Sequence, residues 1–320
     1  MTAAYIFPGQ GSQAVGMGKL LAGHFSEARK VFDEVDAALG QKLAQLMFEG
    51  PEAELTLTAN AQPALMAVSI AVLRVLQQEA GLDLKRDAKF LAGHSLGEYA
   101  ALCAAGSLTL ADTARLLRIR GDAMQKAVPA GEGAMAALIG LEFGPVAAIA
   151  TEAARADWAR AGVCQAANDN GGGQVVISGT KHTVERAMEL AKAKGAKRAI
   201  LLPVSAPFHC DLMSPAADAM KEALAKVTVK APLVPVVANV TAAPVSDPDD
   251  IRKRLVEQVT GTVRWRESVA FMAHEGVSHF YELGSGKVLS GLVKRIAATA
   301  TGMAVGTPED VAAYKAAGKH

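Results

Sequence analysis

The chain of 320 residues has almost no net charge, with 33 Lys and Arg set against 32 Asp and Glu for a formal +1. So even a balance excludes recognition of nucleic acid or an anionic membrane by an overall field; any electrostatic recognition has to be local. Long apolar runs are missing as well. The longest uncharged one, Ala64 to Leu73, falls well short of the roughly 20 residues that span a bilayer. The N-terminus has no basic segment followed by a long apolar stretch, so a secretory signal is not expected. Cysteine is scarce and scattered: Cys103, Cys164 and Cys210 make no Cys-x-x-Cys pair. That excludes a disulfide framework and a zinc site, and leaves three buried thiols in a cytoplasmic protein as the expectation. No internal repeat or low-complexity stretch appears.

What is present is a strand–helix alternation, in a chain 51% apolar and long enough for one large domain or two unequal ones. Leu65, Val68, Val72 and Val75 share one face of a helix over 61–80 that stops at Gly81. "KFLAG" reads as a buried strand, "SLGEYAALCAAG" as a helix, and 111–127 as another helix, which predicts a parallel sheet covered on both faces. Near Pro129 the pattern changes. "GAMAALIGL", a helix over 144–160, "GVCQAAN", "GQVVISG", a helix over 183–194 and "KRAILLPV" give β-α-β-β-α-β, the ferredoxin-like plan. The expectation is a large domain (1–128 and 204–320) into which a small ferredoxin-like domain (129–203) is inserted. After it come a loop, a helix with Ser214 as N-cap and Pro215 at its first position, the strand "LVPVVANV", helices over "DDIRKRLVEQ" and "ESVAFMAHEG", the strand "VSHFYELG" and a final helix from Lys287. The last dozen residues read as a frayed tail.

Two glycine-rich loops invite a phosphate-binding reading, and both fail it. "PGQGSQ" follows an apolar strand, but the acidic residue that should end a second strand about 20 residues later is replaced by the helical "FSEARKVFDEVDAAL". In "GSGKV", Tyr281 stands where the first glycine of a nucleotide loop belongs, and Val288 replaces its Ser or Thr.

"GHSLG" is different, because Gly-x-Ser-x-Gly here lies between a strand and a helix. A nucleophile elbow of the α/β-hydrolase kind needs that context: a strained turn exposes the Ser95 hydroxyl at a helix N-terminus, and the Leu96 N–H can face an oxyanion. Serine needs a base. His94 adjoins the turn and is expected to point away, whereas His209 sits in the turn-rich "SAPFHC" after a strand. Arg120 shares its helix face with Leu116, Leu117 and Met124, and a cation on a buried stripe must find an anion, either an internal carboxylate or one on a substrate.

Together the stretches "FPGQGSQ", "GHSLGEYAAL", "RGDAMQKAVPAGEGAMAALIG", "NDNGGGQVVISG", "PFHCDLMSPA" and "YELGSGKVLSGLVKR" resemble one family, the malonyl-CoA:acyl carrier protein transacylases of fatty-acid synthesis and the acyltransferase domains of polyketide synthases. They occur in family order over nearly the whole chain. The resemblance implies that Ser95 is the nucleophile, His209 its base, and Arg120 the partner of the malonyl carboxylate. It implies backbone N–H groups of Gln10 and Leu96 as the oxyanion hole and the main-chain carbonyl of Gln258 as the group that orients His209. Asn168 or Asn170 is expected to line the site, and Phe208 fits selection of malonyl over branched groups. The PGQGSQ loop would then aim an amide rather than cradle a phosphate.

The implied substrates are malonyl-CoA and the phosphopantetheine thiol of acyl carrier protein, with no metal or redox cofactor. Acyl carrier proteins are acidic, so a local basic rim is expected; Lys192, Lys194, Lys197, Arg198 and Lys287 are its candidates. Competing readings are a serine thioesterase or hydrolase that passes the acyl group to water, a catalytically idle carrier-binding module, and an acyltransferase serving a polyketide synthase.

Overall fold

A computed structural model describes residues 2–155 and 162–318. The chain opens with β1 (Ala3–Phe7) and five helices, α1 (Lys19–His24), α2 (Ser26–Leu39), α3 (Leu43–Glu49), α4 (Glu52–Thr56) and α5 (Thr58–Ala80). A short α6 (Leu84–Asp87) leads to β2 (Ala88–Gly93), α7 (Leu96–Ala104) and α8 (Leu110–Ala127). The middle carries β3 (Gly133–Ile139), α9 (Phe143–Arg155), β4 (Cys164–Asp169), β5 (Gln174–Thr180), α10 (Lys181–Ala193) and β6 (Arg198–Leu201). The rest holds α11 (Ser214–Ala225), β7 (Val236–Ala238), β8 (Ala243–Val245), α12 (Pro248–Thr260), α13 (Trp265–His274), β9 (His279–Leu283), α14 (Val288–Ile296), β10 (Thr301–Val305) and α15 (Pro308–Ala316).

Six strands form one sheet in the order β10-β9-β1-β2-β7-β8, parallel except where β8 returns against β7. β1 is buried throughout because both faces are covered: Tyr5 and Phe7 join the larger core, Ala4 and Ile6 the core against α13 and α14. That two-sided burial is why the strand reads as an unbroken apolar run. The loops carrying Gln10, Ser95 and Asn239 follow the C-terminal ends of β1, β2 and β7, the edge at which open α/β sheets bind their ligands.

The second sheet is antiparallel, ordered β4-β5-β3-β6. Counted from its own first strand, the order is second, third, first, fourth, the ferredoxin-like arrangement. Side chains alternate with period two. Ala134, Ala136, Leu138, Val175 and Ile177 pack under α9 and α10, while Met135, Ala137 and Val176 face the core of the large sheet. β4 is stitched to the segment between α12 and α13, where Val263 bridges Asn168 in parallel and the Asp169 N–H donates to the Val263 carbonyl at 2.9 Å. Buried Asp169 also pairs with Arg266 at 2.8 Å.

Several expectations change. The described part of the last dozen residues is not a frayed tail but mostly helix, since α15 starts with a Thr307–Asp310 capping box, and before it β10 adds an edge strand. Tyr314 then reaches back to hydrogen-bond Tyr5 at 2.7 Å. Ser214 is the first residue of α11 rather than its cap, because a turn of 3₁₀ helix at Asp211–Met213 enters the helix one residue earlier. Only Val236–Ala238 of "LVPVVANV" is strand. The expected helix over 144–160 is described as Phe143–Arg155, and its last residues lie outside the described part. Cys164 and Cys210 are buried, but Cys103 is partly exposed. By length and composition α5 could cross a membrane, yet 83% of its apolar window is buried inside the fold, where it packs as a core helix.

Candidate active site

Between β2 and α7 only His94 and Ser95 remain to reverse the chain. Ser95 adopts φ 54°, ψ −111°, a strained conformation for an L-residue that costs about 1–3 kcal/mol and persists only where its surroundings fix it. The flanking glycines are a steric requirement. A Cβ at Gly93 would lie 1.9 Å from the Gly97 carbonyl oxygen, and one at Gly97 would lie 2.2 Å from that of Phe7. The Ser95 N–H donates to Asn239 Oδ1 at 2.8 Å, and its carbonyl accepts from Gln258 Nε2 at 3.0 Å.

His209, in the loop before α11, brings Nε2 to 2.7 Å from Ser95 Oγ. Its Nδ1–H donates to the Gln258 carbonyl at 2.9 Å and, at 3.2 Å, to that of Gly261. Two carbonyl acceptors fix the tautomer, so Nε2 is bare and accepts the serine proton. The ring is 3% exposed. Burial and then the Arg120 charge push its pKa from 6.5 down to about 3, which keeps the imidazole neutral at ordinary pH.

Arg120, 2% exposed on the inward face of α8, donates from Nη1 to Gln62 Oε1 at 2.7 Å. From Nη2 it donates to Gln258 Oε1 at 2.9 Å and Ser95 Oγ at 3.1 Å. Among the described residues no carboxylate forms an ion pair with it; its direct partners are neutral. Burial lowers its pKa, opposed by Tyr99 and Glu98. The arrangement is a buried cation beside the serine hydroxyl, at the wall of a cavity of about 560 Å³.

That cavity is also lined by Gln10 and Leu96. Leu96 is the first residue of α7, so its N–H is one of the donors a helix N-terminus leaves free. The loop at Gln10 is pinned by a relay: Thr58 Oγ1 donates to Gln10 Oε1 at 2.9 Å, Gln62 Nε2 donates to Thr58 Oγ1 at 2.9 Å, and Gln62 then holds Arg120. No helix begins directly after PGQGSQ. At the GSGK loop, the α14 N-terminus already faces an internal anion, with Leu289 and Ser290 N–H donating to Glu282 at 3.1 and 2.7 Å.

Asn168 and Asn170 both line the cavity, and so does His94, which was expected to point away. His94 stays away from Ser95 Oγ, but it faces the cavity and donates from Nε2 to Asn170 Oδ1 at 3.0 Å. Phe208 is buried at the cavity wall. The basic candidates divide. Lys192 and Lys194 belong to the layer behind the small sheet, on or just past α10, and pair with Glu189 and Glu152. Lys197 packs beside Gly140. Exposed Arg198 lies opposite Ile139, on the sheet face turned toward the site. Lys287 precedes Val288, which lines the cavity. Among the described residues no group of three or more His, Cys, Asp or Glu could hold a metal.

Sequence reasoning missed Gln62, Glu98 and Asn239, and the side-chain role of Gln258. Glu98 could have been found as the one charged residue in the otherwise apolar α7; Gln62, Asn239 and the Gln258 side chain carried no local signal.

The acyl transferase domain family matches residues 4–306. The malonyl CoA-acyl carrier protein transacylase of Escherichia coli K12 is 49% identical over 310 residues, 97% of either chain. A solved acyl-carrier-protein S-malonyltransferase from Bartonella henselae is 58% identical, with a TM-score of 0.95 over 99% of both chains. A malonyl-transacylase solved with its type II polyketide-synthase acyl carrier protein is 41% identical, with a TM-score of 0.94 over 99% of this chain and all of that one.

Proposed function

The chain belongs to the acyl transferase domain family, and from that premise we propose that it transfers a malonyl group from malonyl-CoA to the phosphopantetheine thiol of acyl carrier protein. The reading rests on one observation above the others: a buried guanidinium that has no carboxylate partner among the described residues stands 3.1 Å from a serine hydroxyl that a neutral imidazole also holds. A malonyl group needs both, an activated oxygen for its thioester and a cation for its free carboxylate.

In the first half-reaction Ser95 Oγ attacks the thioester carbon while His209 Nε2 takes the hydroxyl proton. The oxyanion that forms meets the N–H groups of Gln10 and Leu96. As the tetrahedral species collapses, the carbon–sulfur bond breaks and the imidazolium returns its proton to the coenzyme A sulfur. In the second half the carrier thiol gives its proton to His209, its sulfur attacks the malonyl-serine ester, and Ser95 is released with its proton restored. No metal or redox cofactor enters these steps. A carbonyl rather than a carboxylate behind Nδ1 suffices here, because a thioester opens more readily than an amide.

Asn168, Asn170 and Phe208 shape the acyl pocket in this reading, with residues 129–203 acting as the small domain that supplies the asparagines. The acidic carrier docks at the rim bearing Arg198 and Lys287. The cytoplasm is the compartment, and fatty-acid chain extension the pathway; the similarity to a transacylase paired with a polyketide carrier supports a polyketide carrier as the second reading. The product decides the class: incubation with malonyl-CoA and carrier protein bearing a free phosphopantetheine thiol yields malonyl-carrier protein, whereas free malonate as the main product would identify a hydrolase.

A further inference from the structure

Glu98 is 1% exposed at the start of α7, and Asn239 and Gln258 around it are equally buried. Both donate to the same oxygen: Glu98 Oε2 accepts from the Asn239 N–H at 3.0 Å and from Gln258 Nε2 at 2.7 Å. These two residues hold the Ser95 peptide from opposite ends, Asn239 at its N–H and Gln258 at its carbonyl. Asn239 is oriented further by donating from Nδ2 to the Gly93 carbonyl at 2.7 Å.

Donor chemistry leaves the Gln258 amide one orientation. An ionised carboxylate only accepts and a guanidinium only donates, so Nε2 must face Glu98 and Oε1 must face Arg120. With the amide so turned, one residue serves Ser95 and Arg120 through its side chain and His209 through its carbonyl.

We propose that Glu98 is a positioning residue for acyl transfer, its Oε2 tying the main chain of Asn239 to the side chain of Gln258, the two residues whose side chains clamp the Ser95 peptide in the conformation from which Oγ reaches His209. The proposal rests on the reading of Ser95 as nucleophile. A buried anion is costly without a partner, and among the described residues no cation pairs with Glu98 directly. Burial raises its pKa from 4.5 to about 7, opposed by Gln258, Asn239 and Arg120. The charge that bears on it is that of Arg120 on α8; Tyr99 on its own helix is kept neutral by burial, which raises its pKa, and Gln258 of α12 and Asn239 after β7 contribute amides.

The test compares Glu98→Ala and Glu98→Gln by the single-turnover rate of Ser95 malonylation and by KM for malonyl-CoA. Glu98→Ala should acylate about 10²-fold more slowly, as positioning losses do, with KM changed far less. Glu98→Gln keeps an oxygen acceptor but not its charge, and should lose only about three- to tenfold. Protonation of Glu98 makes the same change, so the wild-type rate should fall toward the Glu98→Gln level as pH drops through about 7. The Glu98→Gln profile should be flat over that interval. A folded Glu98→Ala protein acylating at the wild-type rate would overturn the proposal, as would a loss confined to KM. So would a Glu98→Gln protein that keeps the wild-type pH limb, a readout that survives even if Glu98→Ala does not fold. Peptide mapping of the wild-type adduct separates the two readings: an adduct away from Ser95 removes the nucleophile assignment, while one on Ser95 leaves the clamp alone under test.

Discussion

Arg120→Ala tests the selection of substrate. In the folded protein Arg120 is 2% exposed, with Nη1 held by Gln62 and Nη2 shared between Gln258 and Ser95 Oγ, and it lines the cavity. A malonyl carboxylate pairing with it would gain two charge-assisted hydrogen bonds at about 1.5–3 kcal/mol each. Removing them costs malonyl transfer about 3–6 kcal/mol, or about 10²- to 10⁴-fold in kcat/KM. Acetyl-CoA has no carboxylate, so in the wild type it leaves a buried cation unmatched, a penalty of about 1–3 kcal/mol that the substitution relieves. Loss of the Arg120 bond to Ser95 Oγ slows both substrates alike and cancels in their ratio. The malonyl-to-acetyl ratio of kcat/KM should therefore fall by about 10³-fold or more, measured with carrier protein as acceptor. Equal losses for the two substrates, with the ratio intact, would refute the carboxylate role and leave Arg120 only a support for the serine.

Three further outcomes follow from named contacts. Gly93→Ala should lower stability by about 3 kcal/mol, read as a fall in Tm, because the added Cβ meets backbone that cannot move aside; an unchanged Tm would contradict the tight elbow. The depressed His209 pKa favours the neutral ring in the fold, so its stabilisation is complete above 6.5 and is lost as pH falls toward about 3. Denaturant midpoints of His209→Gln should accordingly decline less than wild type across that window, and parallel curves would count against a buried neutral imidazole. Charge reversal at Arg198 and Lys287 should raise KM for carrier protein but not for malonyl-CoA, while reversal at Lys192 and Lys194 should do neither; the opposite pattern would move the docking surface behind the small sheet.

How much of this was legible in the sequence depended on how local each demand is. Gly93 and Gly97 answer a steric need within one turn, so Ser95 could be read from five residues. Arg120 was visible from helical periodicity, because an arginine among leucines on one stripe has few physical explanations. His209 is 114 residues from its serine, and no local pattern joins them; family resemblance carried that assignment. Glu98, Gln62 and Asn239 belong to no local motif, and their roles exist only once α5, α7, α8 and the chain after β7 meet. Lys192 and Lys194 could be read as exposed, but the layer in which α10 lies is a property of the sheet topology. The C-terminal strand and helix escaped because β10 is short and only partly buried, although "TPED" carried a capping signal that favoured α15.

The most direct measurement is intact-protein mass spectrometry after mixing with malonyl-CoA, followed by peptide mapping. The account requires one malonyl group per chain, carried by Ser95, absent from Ser95→Ala and discharged when carrier protein with a free phosphopantetheine thiol is added. A chain that stays unmodified while transferring malonyl, or an adduct that maps elsewhere, would contradict it.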